Sequence, residues 1–182
     1  NVMVNFMTQS AKRYNEETNV KYMDVVNETI LPSGKWFGPK KGTHLWENPW
    51  LKMGLDENGF PNYIIKAFEI ATANAPNIKL VYNQNGGMEK LMWDKVISTI
   101  KLLKSKGLRV DAIGWQAHLR YDKFSDDDLN QLSSLIDWAH ENNMEFHITE
   151  LNLWVKEENF DKKEVKNWQA DTYSKIYELA FS

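Results

Sequence analysis

Short apolar runs alternate along the chain with stripes of helical period. Val4, Met7, Ala11 and Tyr14 recur at helical spacing within residues 2–18, and Asn15 to Asn19 form a polar break. Val20–Val26 is an apolar run of strand length. Ile65, Phe68, Ile70 and Ala71 give residues 62–74 a helical stripe that ends at "APN". Ile78–Tyr82 is strand-like. Residues 88–106 form a long amphipathic stretch closed by Gly107, a C-capping residue. Val110–Trp115 is strand-like again. Ser125 with three aspartates behind it is an N-cap signal for a helix running to about Asn142. Glu145–Thr149 is a fourth strand, and 165–180 a last helix. The order is a helix followed by four strand–helix units, which predicts a parallel sheet covered by helices. Residues 29–61, rich in Gly, Pro, Asn and Trp, read as one long loop. The absence of a linker-like stretch predicts one domain.

In parallel α/β folds, chemistry gathers at the carboxyl ends of the strands. The first predicted strand ends in Asn27-Glu28, the second in Asn83-Gln84-Asn85, the third in Gln116 and His118, and the fourth in Glu150 and Asn152. Two carboxylates on one rim fit general acid/base or nucleophilic work, and glycoside hydrolysis uses such a pair flanking the scissile bond. A glutamate after an apolar run is also an ordinary exposed loop residue. His118 has a second reading as a buried, hydrogen-bonded histidine. His140, within a helix, and His147, within a strand, read as structural, and His44 fits no pattern.

Composition narrows the classes. The 182 residues carry a net charge of −3, and the basic residues do not cluster, so there is no electrostatic case for nucleic acid. There is no cysteine, which removes disulfides and thiolate chemistry. No apolar run approaches the roughly 18 residues of a membrane span, and no signal peptide is visible. Zinc-site spacing, the dinucleotide fingerprint, the phosphate-binding loop and the nucleophile elbow are all absent, so no metal or cofactor is expected. The eight tryptophans fit a rich core or flat faces offered to sugar.

Three motifs go further. "MDVVNE" at 23–28, "DAIGWQAHL" at 111–119 and "FHITELN" at 146–152 closely resemble the signatures of glycoside hydrolase family 10, the endo-1,4-β-xylanases. The intervening "YIIKAFEIATANAPNIKLVYN" at 63–83 and "QADTY" at 169–173 also resemble that family. The resemblance implies a (β/α)8 TIM barrel, of which this chain would be about half: strands 4–7 with flanking helices. It implies retaining hydrolysis of β-1,4-xylosidic bonds, with Glu28 as acid/base and Glu150 as nucleophile. It further implies that Asn27 holds the 2-hydroxyl of the sugar, that His118 hydrogen-bonds the nucleophile and that Gln116 lines the site. Asn83, at the equivalent strand end, joins them as a substrate-binding candidate. Its neighbourhood departs from the family: "YNQN" stands where Asn-Asp-Tyr is usual, which bears on one sugar contact.

The resemblance carries further expectations. The partner is a polysaccharide, xylan or a xylo-oligosaccharide. The first three strands and the last are not in this sequence. Four strands cannot close a barrel, so the chain is expected to be a fragment, with little or no activity on its own even though both glutamates are present, or to be completed by the remainder of the same barrel. A substrate too large to cross a membrane implies a secreted or cell-surface protein. Another retaining β-glycanase of the same fold, or an inactive carbohydrate-binding fragment, stand as alternatives. Trp36, Trp46 and Trp50, in the long segment 33–60, either stack on sugar rings or pack the loop onto the barrel.

Overall fold

The computed structural model of the protein describes residues 2–39, 48–121 and 123–181. Helix α1 (Val2–Asn15) leads into strand β1 (Tyr22–Asn27). Helix α2 (Asn62–Asn74), strand β2 (Lys79–Gln84), helix α3 (Lys90–Ser105) and strand β3 (Ala112–Trp115) come next. Strand β4 (His118–Arg120) and helix α4 (Asp126–Glu141) precede strand β5 (Glu145–Ile148). Strand β6 (Asn152–Trp154) and helix α5 (Lys163–Ala180) complete the order. Strands β1, β2, β3 and β5 form one parallel sheet in sequential order, each crossover carrying a helix. The expected alternation is therefore present. The short β4 and β6, which the apolar pattern did not predict, pair in parallel as a separate two-stranded ribbon.

The termini of the helices reflect local chemistry. The Ser125 hydroxyl accepts a hydrogen bond from the Asp128 amide, and the Asp128 carboxylate accepts one from the Ser125 amide, a reciprocal cap that satisfies two orphan donors. Gly107, at φ 74°, turns the chain out of α3. The Gly107 and Leu108 amides then bond back to Lys104 and Leu103. The described parts of the long segment after β1 are more ordered than their composition suggests, with bridges Ile30–Trp36 and Leu55–Pro61 and a short 3-10 turn over Pro49–Met53.

The two faces of the sheet have opposite chemistry. Leu80, Tyr82, Ile113 and Trp115 are fully buried beneath the helices, and Tyr82 stacks on Phe68 of α2 at 6.1 Å. The other face sets the small or apolar Val81, Ala112 and Gly114 among polar Asp24, Asn27, Asn83, Glu145 and His147, which lie in register with them. The Tyr22 and His147 rings meet edge to face at 4.6 Å although β2 and β3 lie between their strands. The sheet is therefore strongly curled, concave toward the polar face, as a segment of a barrel wall must be.

Both edge strands leave apolar surface uncovered. Beside β1, a groove of about 550 Å³ runs along Met3, Phe6 and Met7 of α1. Beside β5, a second groove is lined by Phe146, Ile148, Tyr177 and Phe181. Among the described residues no helix is long and apolar enough to cross a membrane.

Candidate active site

The concave sheet delivers its polar residues to one rim, the carboxyl ends of the strands. A bulge between Asp24 and Val26 shifts the β1 register, so that Asn27 lies directly beside Asn83. The next residue, Glu28, sits at φ 53°, in a left-handed conformation unusual for a side chain with a Cβ. Its amide donates to the Asn83 carbonyl at 3.2 Å, so the strand still pairs while its chain turns. Gln84 fixes the two residues after Glu28. Its buried amide oxygen accepts from the Thr29 and Ile30 amides at 3.1 and 3.3 Å, and its nitrogen donates to the Ile30 carbonyl at 2.9 Å. Thr29 in turn is hydrogen-bonded to the Tyr82 hydroxyl.

Ala117 is the second left-handed residue of the rim, at φ 57°. It separates Gln116 from His118 and starts the β4–β6 ribbon. Gln116, only 2% exposed, donates from its single amide nitrogen to Asn27 Oδ1 and Glu28 Oε1, both at 2.9 Å. Asn83 donates to Asn27 Oδ1 at 3.2 Å and accepts from the Thr149 hydroxyl at 3.1 Å. Gly114 makes room for this network, because a Cβ there would lie 2.4 Å from Asn83 Oδ1. His118 Nε2 stands 3.2 Å from Glu150 Oε2, with both side chains partly open to solvent. The buried reading of His118 is thereby overturned: the left-handed turn at Ala117 swings the ring out of the core.

All six residues singled out from the sequence, Asn27, Glu28, Asn83, Gln116, His118 and Glu150, thus lie on one rim. They are not alike. Glu28, Asn27, His118 and Glu150 reach solvent, whereas Asn83 and Gln116 are buried and use their amides to hold Asn27 and Glu28. Thr149 and Gln84 complete the support. Thr149 precedes the nucleophile candidate and in sequence is one more β-branched strand residue. Gln84 is visible there as a strand-end amide, but nothing local shows that it faces the loop rather than the cleft.

Deeper in the concave face lies a charged layer. Lys79 pairs with Glu145, which also meets His147 Nε2 at 2.9 Å. The Lys79 contact, helped by His147 and Tyr22, holds the Glu145 carboxyl down at about 2. Asp24 is shifted upward, first by desolvation and then by the negative charge of Glu150, with His147 opposing. His147, read as structural from its place inside the strand, meets Glu145 and, edge to face, the Tyr22 ring here. No cluster of metal-ligating side chains occurs among the described residues.

Of the loop tryptophans, Trp36 packs the loop down. Its Nε1 donates to the Gly59 carbonyl at 2.9 Å, its ring meets Phe60 edge-on, and the Lys95 ammonium lies 4.7 Å from its centre. Trp50 is partly exposed beside the β1 groove, where Asn48 caps the 3-10 turn and donates to the Tyr63 hydroxyl. Trp46 and His44 lie outside the described residues.

The chain is similar to known proteins in sequence and in fold. The model of Glycosyl hydrolase family 10 matches residues 1–182. An endo-1,4-β-xylanase A of Thermotoga neapolitana is 34% identical over 134 residues, covering 72% of this chain and 11% of its own. A putative endo-1,4-β-xylanase of Caldicellulosiruptor saccharolyticus is 29% identical over 161 residues, covering 86% of this chain and 47% of its own. Among solved structures, xylanase 10B from Thermotoga petrophila in complex with xylobiose superposes with a TM-score of 0.77 at 25% identity. It covers 97% of this chain and 48% of that one. An endoxylanase from a sugarcane soil metagenome gives a TM-score of 0.74 at 23% identity, with 97% and 50% coverage. The chain spans about half the length of these solved structures, and its fold is about half of a TIM barrel.

Proposed function

The chain belongs to glycosyl hydrolase family 10, and from that premise we propose that it carries the catalytic carboxylates of a retaining endo-β-1,4-xylanase. The observation that carries the reading is the rim itself: Gln116 tethers Asn27 and Glu28 together, while His118 holds Glu150. In the first step the Glu150 carboxylate attacks the anomeric carbon. The bond to the glycosidic oxygen breaks, and Glu28 gives that oxygen its proton. In the second step Glu28 takes a proton from water, the hydroxyl bonds to the anomeric carbon, and Glu150 is released as carboxylate. One water is consumed and the anomeric configuration is kept. Asn27, held from two sides, presents its amide to the sugar hydroxyl next to the cleaved bond.

On the same reading, the apolar grooves beside β1 and β5 are the seams on which further strand–helix units complete the barrel. A polymeric substrate cannot cross a membrane, so the protein is proposed to act secreted or at the cell surface. The test is xylan hydrolysis by the chain with its barrel completed by those further units, monitored by proton NMR of the first-formed products. The β-anomer should appear first, and both Glu28→Ala and Glu150→Ala should abolish its formation from xylan. Release of the α-anomer first would sink the retaining assignment.

A further inference from the structure

Beyond Glu150 the chain builds a platform that the two-step chemistry does not use. Strands β4 and β6 pair His118 with Asn152, Leu119 with Leu153 and Arg120 with Trp154. Because side chains alternate along a strand, the ribbon has two faces. Leu119 and Leu153 are buried, 3% and 5% exposed, and fix one face to the protein. The other face carries His118, Asn152, Arg120 and Trp154, and His118 is the residue that touches Glu150. Arg120 and Trp154 therefore stand one step further along the same face, about 7 Å from the His118–Asn152 pair.

The end of this ribbon is held firmly. Gln169 Nε2 of α5 donates to the Leu153 carbonyl at 2.7 Å. The Tyr121 amide bonds to the Trp154 carbonyl at 3.3 Å, and the Tyr121 ring packs edge-on against Trp168 at 5.2 Å. The Arg120 guanidinium lies over the indole, 5.2 Å from its centre. Even with that cover, Trp154 remains 47% exposed. An indole is a large apolar surface, and keeping it in water beside a catalytic rim forgoes burial that the fold obtains from Trp115 and Trp93. A pyranose ring offers a flat C–H face to such a plane, and a guanidinium beside it supplies donors for ring hydroxyls.

We infer that Arg120 and Trp154 form a distal sugar subsite, reached along the β4–β6 ribbon from Glu150, that binds a further xylosyl ring of a long substrate. This rests on the xylan reading above. It makes Trp154 a determinant of chain-length preference and leaves the reacting bond to Glu28 and Glu150. The apolar ring gives the stacking, while the guanidinium fixes the indole and selects a hydroxylated ligand over a purely apolar one.

The test is calorimetric titration of xylobiose and xylohexaose into the protein with its barrel completed by the further strand–helix units, with Glu150→Gln as background to prevent turnover. The background protein should bind xylohexaose more tightly than xylobiose. Trp154→Ala should weaken xylohexaose binding by roughly five- to tenfold, the scale of one lost aromatic contact, and leave xylobiose unchanged. Trp154→Phe should recover most of the loss, and circular dichroism should show both variants folded. Asn27→Ala, at the cleavage point, should weaken both sugars. If Trp154→Ala binds xylohexaose as well as the background does while Asn27→Ala weakens it, the ribbon is not a subsite and the xylan reading stands. If the background binds neither sugar, the xylan reading fails and this inference fails with it.

Discussion

The imidazole of His118 stands 3.2 Å from the carboxylate of Glu150, although the two residues are 32 positions apart in sequence. A hydrogen bond to a charged group contributes about 1.5–3 kcal/mol. Replacing His118 with Ala removes the contact that orients the nucleophile and is expected to slow formation of the glycosyl-enzyme by roughly 10- to 100-fold, the scale of a small misplacement of a reacting group. Stopped-flow release of an aryl leaving group from an aryl xylobioside isolates that step. An unchanged burst rate would mean that His118 does not hold the nucleophile.

Gly114 is predicted to tolerate no side chain. An alanine Cβ would sit 2.4 Å from Asn83 Oδ1 and 3.2 Å from Thr149 Cγ2, displacing the amide that supports Asn27. Gly114→Ala should cost about 1–3 kcal/mol, a fall of several degrees in Tm. Adding Asn83→Ala should return part of that stability, because the clash is gone, but should not return activity. Additive effects of the two changes on Tm would contradict the direct contact.

The charged layer below the rim makes acid stability depend on two carboxyls with opposite signs. Glu145 titrates at about 2 in the fold, below its ordinary 4.5. Its contribution is complete above about pH 4.5 and is lost as pH falls toward 2. Asp24 is shifted upward from 3.8, so its ionisation opposes folding once pH rises through that range. Glu145→Gln should lower Tm at pH 6, with the difference shrinking toward pH 2. Asp24→Asn should raise Tm at pH 6 and have no effect near pH 3. Thermal melts of the three proteins from pH 2 to 7 check both slopes.

Much of this arrangement was legible in the sequence because it rests on period and position. The apolar runs before Glu28, Asn83, Gln116 and Glu150 are long enough to mark strands, and a parallel sheet brings their ends together. What escaped depends on tertiary geometry. Three residues, as in His118–Arg120 or Asn152–Trp154, are too few to show a period, so the ribbon and its exposed face were invisible. The bulge after Asp24 and the left-handed turns at Glu28 and Ala117 are held by partners far along the chain, and no glycine announces the two turns. Trp36 and Trp50 look alike in sequence. Only the Gly59 carbonyl and the Lys95 ammonium assign the first to packing.

Retention by double displacement requires that Glu150 bond to the sugar. A 2-deoxy-2-fluoro xylobioside with a good leaving group should stall the reaction after the first step. Intact-mass spectrometry should then show one added glycosyl unit, and peptide mapping should place it on Glu150. No adduct in a protein that hydrolyses xylan, or an adduct on any other residue, would mean that Glu150 is not the nucleophile.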